Sequence, residues 1–127
     1  MQFGFHLTLD LYGCPLETLN NMEVVYNCLN DLPTKINMHP LIKPIVVNAT
    51  ANVVKDPGGF SGFTIIQESH ISVHTFTKRG FVSIDVYSCK QFNKEEAKKH
   101  FLDIFKPKNV EEHYIDRGLS YPDKDIY

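Results

Sequence analysis

The chain has 127 residues, of which 43% are hydrophobic and 22% charged, a size and composition typical of one globular domain spanning residues 1–127. Its formal net charge of -2 at pH 7 argues against a protein that binds nucleic acid through phosphate contacts. No apolar run approaches the roughly 20 residues of a membrane-spanning helix, and the opening MQFGFHLTLD lacks the pattern of a signal peptide. We therefore expect a cytoplasmic protein that binds neither nucleic acid nor membrane.

The first half of the chain begins with a strand-like pattern and continues with a helix-like one. Alternating apolar residues predict a strand over Phe3–Tyr12. Apolar residues at spacings of three and four predict a helix over Pro15–Leu32, which the following proline is expected to end. A second strand is predicted over Ile42–Thr50, and a loop rich in proline and glycine over Asn52–Phe60.

The second half of the chain is rich in strand-like patterns. The predicted elements are, in chain order, strands over Gly62–Glu68, Ile71–Thr77 and Phe81–Cys89, a helix over Asn93–Phe105 and a strand over Val110–Arg117. Asn93, followed three residues later by Glu96, is typical of a helix N-terminus. The element order predicts an α+β fold, a single-domain two-layer sandwich in which two helices cover one face of a mainly antiparallel sheet.

The two strands that flank Lys78-Arg79 each have one apolar and one polar face. If these two residues form a hairpin loop, His74 lies opposite Ser83 and Cys89 lies opposite Glu68. The polar faces of both strands then coincide, which a shift by one residue would prevent. Two interpretations remain open, a solvated outer face of the sheet or a reactive site, because His, Ser and Cys side chains converge there.

Metal binding is not indicated by the histidines or the cysteines. His70 and His74 have the spacing of a helical metal pair, but four residues of a strand span about 13 Å. The three cysteines are an odd number at spacings that fit neither a disulfide framework nor a zinc site. We therefore expect no metal ion. Structural roles are assigned to Cys14, Cys28, His6, His39, His100 and His113.

One block of the sequence carries a specific resemblance. It reads GFSGFTIIQESHISVHTFTKRGFVSIDVYSC, in which Ser69 follows a glutamate, a histidine lies five residues after Ser69, a cysteine twenty after it and Ser61 eight before it. This block resembles the short prokaryotic S-adenosylmethionine decarboxylases, which are self-processing pyruvoyl enzymes. The opening HLTLDLYGC resembles the first strand of that family, so the resemblance covers nearly the whole chain.

The resemblance implies a proenzyme that cleaves itself between Glu68 and Ser69, into a β chain of residues 1–68 and an α chain of residues 69–127. The Ser69 hydroxyl would attack the carbonyl carbon of Glu68 to form an ester, and β-elimination would then break that ester. His74 is the implied base for the α-proton, and Ser61 is an implied hydrogen-bonding partner during the rearrangement.

The same resemblance implies a covalent pyruvoyl cofactor made from Ser69, with neither pyridoxal phosphate nor a metal ion. Its carbonyl would form a Schiff base with the substrate amine and act as the electron sink for decarboxylation. Cys89 is the implied acid that returns a proton to the α-carbon, since a free thiol is largely protonated at neutral pH. The family also implies a homodimer whose sites use residues of both protomers.

Substrate recognition departs from the family pattern. The family usually has Pro-Glu after the histidine-bearing strand, whereas this chain has Thr77-Lys78, and a lysine accepts no hydrogen bond from ribose hydroxyls. Lys55 aligns with an aromatic residue that stacks on adenine, and Phe60 is the alternative aromatic side chain. The expected substrate-binding residues are Asp10, Phe60, Ile71 and Lys78.

Three functions remain open on the sequence. The first is decarboxylation of S-adenosylmethionine for polyamine biosynthesis. The second is decarboxylation of arginine or ornithine, which lack the nucleoside and whose cationic group Asp10 would meet. The third is a non-catalytic homologue that stays uncleaved and binds or regulates a partner. The presence of Ser61, Ser69, His74 and Cys89 together argues against this third function.

Overall fold

The computed structural model describes residues 1–52, 55 and 57–127. This part of the chain contains six β-strands and three α-helices. The strands are β1 (Gly4–Tyr12), β2 (Ile45–Ala49), β3 (Gly59–Ile66), β4 (Ser69–Phe76), β5 (Phe81–Ser88) and β6 (Asn109–Arg117), and the helices are α1 (Leu16–Leu19), α2 (Met22–Lys35) and α3 (Lys94–Phe105). None of the helices in the described ranges has the length and apolar character needed to cross a membrane.

The six strands form one sheet in the order β2-β3-β4-β5-β1-β6. Each neighbouring pair is antiparallel. The helices pack on one face of this sheet, so the predicted two-layer α+β fold is confirmed. The first strand of the chain, β1, lies between β5 and β6, which no local sequence pattern indicates.

Alternation along the strands separates a covered face from an open one. On β1, Leu7, Leu9 and Leu11 are fully buried beneath the helices, where they pack with Leu29 and Phe101. We call the opposite face of the sheet the open face. It carries the half-buried polar residues of the central strands, which are His70, Ser72 and His74 on β4 and Ser83, Asp85 and Tyr87 on β5.

The predicted register of β4 and β5 is confirmed. His74 lies opposite Ser83, and the main-chain N–H of Cys89 donates to the carbonyl of Glu68. The connection is a 3₁₀ turn over Thr77–Arg79, which ends at Gly80 with a φ of 61°. Glycine adopts this left-handed conformation without the steric cost that a Cβ would bring.

The predicted single helix over Pro15–Leu32 is wrong in two respects. It is divided into α1 and α2, because the side chain of Asn21 accepts hydrogen bonds from the N–H groups of Glu23 and Val24 and so begins a new helix. Pro33 does not end α2, which continues to Lys35. A proline so near the end of a helix removes a single hydrogen bond, and the carbonyl of Pro33 still accepts from Ile36.

The predicted strands on either side of Ser69 also need correction. Strand β3 ends at Ile66 and β4 begins at Ser69, so Gln67 and Glu68 form a two-residue hairpin turn between them. Strand β2 begins only at Ile45, because residues before it pair locally with the end of β3. The predicted loop over Asn52–Phe60 contains Val53, Val54 and Asp56, which lie outside the described residues, and its last two residues belong to β3.

The last helix and strand agree with their predictions. The side chain of Asn93 accepts a hydrogen bond from the N–H of Glu96 and so caps α3. Lys98 Nζ lies 2.8 Å from Glu112 Oε1, an ion pair that joins α3 to β6. Most residues of β6 are exposed, which is consistent with its position at the sheet edge.

A buried histidine joins the two long helices. His100 of α3 lies with Nε2 at 2.9 Å from the carbonyl oxygen of Cys28 and with Nδ1 at 3.0 Å from Nζ of Lys35, both on α2. The lysine ammonium donates to Nδ1, so the Nε2 atom carries the proton and donates to the carbonyl. Burial lowers the pKa of His100, because it disfavours the charged imidazolium.

We expect this histidine to make the fold less stable in acid. Its pKa is lower in the folded chain than in the unfolded one, so its contribution to stability is complete above about pH 6.5 and is lost as the pH falls below that value. Urea titrations between pH 7.5 and 5 should give a shallower pH dependence of the free energy of unfolding for His100→Leu than for the wild type. Identical pH dependence in the two proteins would contradict this assignment.

Candidate active site

The peptide bond between Glu68 and Ser69 lies at the two-residue turn that joins β3 to β4. Gln67 and Glu68 form the turn, and Ile66 pairs with Ser69 across it. Ser69 has a φ of 153°, in a range that residues with a Cβ rarely adopt. Such a conformation costs about 1–3 kcal/mol and persists only where the surrounding structure holds it in place. The strain is therefore stored at the bond that the sequence predicts to be cleaved.

The carbonyl of this peptide bond is held by β5. The main-chain N–H of Cys89 donates to the carbonyl oxygen of Glu68 at 2.8 Å. An N–H in this position stabilises negative charge that develops on the oxygen when the carbon is attacked. The main chain of Cys89 therefore lies beside this bond, as the predicted register of β4 and β5 requires.

Cys89 differs from the other two cysteines of the chain. Its side chain is exposed, whereas Cys14 and Cys28 are buried, and all three are free thiols. Burial raises the pKa of Cys14 to about 11 and also raises the pKa of Cys28, because a thiolate is disfavoured away from water. Only Cys89 therefore offers an accessible thiol beside the Glu68–Ser69 bond.

The side chain of Glu68 is also held in place. It is buried, and its two carboxylate oxygens accept hydrogen bonds from His39, one from the main-chain N–H at 3.0 Å and one from the ring Nδ1 at 2.7 Å. Burial raises the pKa of Glu68, but the hydrogen bonds from His39 outweigh this effect and lower the pKa overall. The carboxylate is therefore ionised at neutral pH.

Sequence reasoning missed His39, which it interpreted as structural. The residue lies 29 positions before Glu68 in a loop, and no periodic pattern brings such distant residues together. Backbone pairing does so, because His39–Leu41 runs beside the end of β3. The His39 carbonyl accepts from Gln67 at 2.8 Å, and the N–H of Leu41 donates to the carbonyl of Ile65 at 2.8 Å.

Ser61 and His74 form a second group. They lie opposite each other on β3 and β4, and the Ser61 hydroxyl lies 2.8 Å from Nδ1 of His74. Both side chains border a cavity of about 370 Å³ on the open face, together with Ile45, Val47 and Phe63. Ser61 and His74 can therefore exchange a hydrogen bond, and their roles in cleavage remain predictions.

The two groups do not meet within one chain. Ser69 and His74 lie five residues apart on the same strand, which corresponds to about 16 Å. No proton passes directly between side chains at that separation. The structure therefore brings Cys89 to the Glu68–Ser69 bond and Ser61 to His74, but it leaves these two half-sites at opposite ends of β4.

Asp10 lies at the His74 end of the sheet. It pairs with Ser83 on β5 and with Glu111 on β6, so it occupies the same row across the open face as His74. Burial and the neighbouring carboxylates of Glu111 and Asp85 raise the pKa of Asp10. Clustered carboxylates of this kind favour a cation nearby.

The other expected substrate residues are placed less favourably. Ile71 is fully buried in the core beneath the helices, so only its main-chain atoms remain for a ligand. Phe60 is half-buried and packs against the same core. Lys78 is exposed on the 3₁₀ turn at the His74 end of β4. Their roles in substrate binding remain predictions.

An aromatic cavity lies at the His74 end of the sheet and was not predicted. Its volume is about 600 Å³, and it is lined by Tyr12, Asn52, Lys55, Phe76, Arg79 and Phe81. The Phe81 ring stands between the other two aromatic rings, 5.2 Å from Tyr12 and 5.3 Å from Phe76. The hairpin register places Phe76 beside Phe81, but the approach of Tyr12 depends on the pairing of β1 with β5.

Between the two half-sites the open face carries fixed charges. His6 lies with Nε2 at 2.7 Å from Asp85, and Arg117 donates to its Nδ1 at 2.9 Å. The guanidinium of Arg117 also stacks over the ring of Tyr87 at 4.8 Å. Burial lowers the pKa of His70, which neighbours the same tyrosine.

The open face also exposes large apolar side chains. They are Ile45, Val47, Phe63, Ile65 and Ile115. The four on β2 and β3 form a cluster at one edge of the sheet, whereas Ile115 lies on β6 at the other edge. An exposed apolar cluster of this kind is typical of a protein interface.

In the described ranges, no group of three or more His, Cys, Asp or Glu side chains is arranged to hold a metal ion.

Comparison with known proteins identifies the family. The family model described as S-adenosylmethionine decarboxylase matches residues 5–118. The S-adenosylmethionine decarboxylase proenzyme of Archaeoglobus fulgidus is 32% identical over 121 residues, which are 93% of this chain and 100% of that protein. The proenzyme of the same name from Thermococcus kodakarensis is 34% identical over 122 residues, which are 95% of this chain and 80% of that protein.

The fold has a close counterpart among solved structures. The crystal structure of the adenosylmethionine decarboxylase from Aquifex aeolicus superimposes with a TM-score of 0.80 over 98% of both chains, at 23% sequence identity. At this identity the likeness supports the fold rather than the function. The sequence matches define the class of protein, a decarboxylase formed as a proenzyme. The chain belongs to the S-adenosylmethionine decarboxylase family.

Proposed function

We propose that this chain cleaves itself between Glu68 and Ser69 and then decarboxylates S-adenosylmethionine in the cytoplasm, through a pyruvoyl group derived from Ser69. The proposal depends mainly on the conformation and hydrogen bonding of the Glu68–Ser69 peptide bond. Its serine has a strained φ of 153°, and its carbonyl already accepts a hydrogen bond of 2.8 Å from Cys89. The buried free thiols of Cys14 and Cys28 suit a reducing compartment.

Self-cleavage begins with the attack of the Ser69 hydroxyl on the carbonyl carbon of Glu68. The C–N bond breaks, an ester forms between the two residues, and the amine of Ser69 is freed. The N–H of Cys89 stabilises the oxyanion of this step. When the C–N bond breaks, the main chain of Ser69 is no longer held in the turn. Its backbone strain is then released, which favours the ester over the amide.

The ester is then broken by β-elimination. A base removes the α-proton of Ser69, the Cβ–O bond breaks, and Glu68 leaves as the carboxylate end of residues 1–68. Addition of water to the remaining enamine, through its imine form, releases ammonia and leaves a keto group at residue 69. The imidazole of His74, hydrogen-bonded to Ser61 at 2.8 Å, is the base that the chain supplies.

The local residues fit a pyruvoyl group at position 69. Ser69 supplies its three carbon atoms, and Cys89, whose thiol is exposed, directly follows the neighbouring strand β5. The group supplies an electron sink for the electron pair left by departing carbon dioxide. Cys89 then donates a proton to the former α-carbon of the substrate.

A dimer completes this chemistry, because the two half-sites are about 16 Å apart within one chain. We propose that two open faces pack together, about 10 Å apart, around a two-fold axis that runs midway between the sheets, at right angles to β4 and over Ser72. Reversal of the strand direction brings Ser69 of one protomer to the partner's His74. The exposed apolar residues of the open face support this packing, since the contact would bury them.

The aromatic cavity supports S-adenosylmethionine as the substrate. Tyr12, Phe76 and Phe81 provide a surface on which a purine ring can stack. Arg79 and Lys55 border the same cavity, and their charges oppose entry of the cationic end of arginine or ornithine. The cavity lies at the His74 end of the sheet, where the proposed dimer places the reactive Ser69 of the partner.

A second candidate is the decarboxylation of arginine or ornithine. It is favoured by the absence of a ribose-binding carboxylate, since Lys78 stands where the family usually has glutamate. It is also favoured by the carboxylates of Asp10, Asp85 and Glu111, which lie near one another on the open face. These carboxylates would suit a cationic side chain.

Release of carbon dioxide from S-adenosylmethionine, arginine and ornithine distinguishes the candidates. The purified, cleaved protein should release it from S-adenosylmethionine, and Tyr12→Ala should weaken this activity mainly through KM, because stacking of the ring is lost. Activity on the two amino acids alone would replace the first candidate by the second. Absence of activity in a chain that stays uncleaved would point to a non-catalytic binding partner.

A further inference from the structure

We propose that His39 is a positioning residue for self-cleavage, which holds Glu68 so that the strained bond to Ser69 cannot relax. The inference depends on the proposed function, since it concerns the cleavage of that bond. His39 contributes three groups, its main-chain N–H, its main-chain carbonyl and its ring Nδ1. Each contacts the turn formed by Gln67 and Glu68.

The contacts fix the turn from several directions. The two carboxylate oxygens of Glu68 accept from His39 at 3.0 and 2.7 Å, so the carboxylate is held at both oxygens. The His39 carbonyl accepts from the N–H of Gln67, and Cys89 donates to the carbonyl of Glu68, both at 2.8 Å. The side chain and the carbonyl of Glu68 and the N–H of Gln67 are therefore all held by hydrogen bonds.

This anchoring explains how the conformation of Ser69 persists. A φ of 153° would relax if the Glu68–Ser69 peptide unit could rotate. Rotation of this unit would pull the Glu68 carbonyl from Cys89, and a shift of Glu68 as a whole would pull its carboxylate from His39. Both contacts involve strong acceptors whose loss leaves a poorly solvated oxygen without a donor, which is costly.

The burial of Glu68 argues that its contact with His39 is more than an exposed ion pair. Only 8% of the Glu68 side chain is exposed, against 68% of the His39 side chain. Burying a carboxylate is unfavourable unless hydrogen bonds compensate for the lost water. A glutamate in a surface turn could instead extend into solvent, so its inward position is maintained by the donors of His39.

The ring contact can be removed selectively. His39→Leu removes the Nδ1 donor and keeps the main-chain contacts, while His39→Asn places an amide N–H near the position of Nδ1. Lys43→Ala is the matched control, because Lys43 is an exposed basic residue of the same loop. Cleavage is followed by intact mass on chains purified soon after synthesis, and decarboxylation is measured on chains that are already cleaved.

We expect His39→Leu to cleave about tenfold more slowly than the wild type, as loss of one hydrogen bond to a charged group implies. His39→Asn should cleave within about threefold of the wild-type rate, because it restores a donor. Lys43→Ala should match the wild type. The decarboxylation rate of each cleaved variant should stay near the wild-type value, because Glu68 is by then the carboxyl end of the β chain and is no longer bonded to residue 69.

Wild-type cleavage rates in His39→Leu would overturn the inference while leaving the proposed function intact. Equal slowing by the asparagine variant, or an equal loss of decarboxylation, would also overturn it by indicating a general structural role. A wild-type chain that never cleaves would instead refute the proposed function. If His39→Leu does not fold, Glu68→Gln tests the same contact from the other side, and slow cleavage is again required.

Discussion

Co-expression of Ser69→Ala and His74→Ala chains should restore cleavage that neither variant shows alone. The two half-sites lie at opposite ends of β4 in one chain, so a complete site needs Ser69 from one protomer and His74 from the other. A mixed dimer contains one such site, formed by the intact serine of the His74→Ala chain and the intact histidine of the Ser69→Ala chain. Loss of a general base slows a reaction by about 100-fold or more, so the rescue should be evident.

Differently tagged chains make this measurement selective. Mixed dimers are isolated through both tags, and intact mass identifies which chain has been cut. Cleavage should occur only in the chain that carries His74→Ala. Dimers in which both chains carry Ser69→Ala serve as the control and should stay uncut. Isolated mixed dimers without cleavage, or efficient cleavage of His74→Ala chains alone, would contradict a site shared between two protomers.

Cys89→Ala should separate cleavage from turnover. The main-chain N–H of residue 89 remains in this variant, so the hydrogen bond to the Glu68 carbonyl survives and self-cleavage continues. The thiol that donates the proton is lost, and removal of a general acid lowers turnover by about 100-fold or more. Measurement of both rates on the same preparation tests this difference.

A second cysteine provides the control for this variant. Cys14 is a free thiol like Cys89, but it is buried in the core. Cys14→Ala should leave both cleavage and turnover per folded molecule close to wild type. If Cys89→Ala lost both activities equally, the thiol would be needed for cleavage as well as for turnover. The hydrogen bond from the main-chain N–H of residue 89 would then be too little to support self-cleavage.

Much of the fold could be predicted from local patterns. The β4–β5 register follows from the coincidence of two polar faces, because a one-residue shift would expose apolar side chains. The cap at Asn93 has a recognisable side chain at a fixed distance from Glu96. Strand β6 was predicted over Val110–Arg117 and begins one residue earlier, at Asn109.

The errors have physical reasons as well. Asn21 begins a new helix inside an otherwise continuous apolar pattern, and that pattern shows no interruption there. The turn at Gln67-Glu68 contains no glycine, asparagine or proline, so it resembles a strand. Its conformation is imposed by contacts with β5 and with the loop before β2, which are distant in the sequence.

The candidate site was predicted only in part, because several of its contacts join residues that are distant in the sequence. The roles of Ser69, His74 and Cys89 follow from resemblance to the family, but their arrangement depends on the sheet. Local patterns do not predict that His39 reaches Glu68 or that Tyr12 joins the aromatic cavity. Both contacts join residues that approach only when the loop before β2 and strand β1 are in place.

The most direct test of the account is the intact mass of the freshly made chain as it ages. We predict two products, residues 1–68 ending in a free carboxylate and residues 69–127 beginning with a keto group that reacts with hydrazine reagents. The Ser69→Ala chain should keep its full length throughout. A wild-type chain that remains a single polypeptide of 127 residues after long incubation would contradict the central claim.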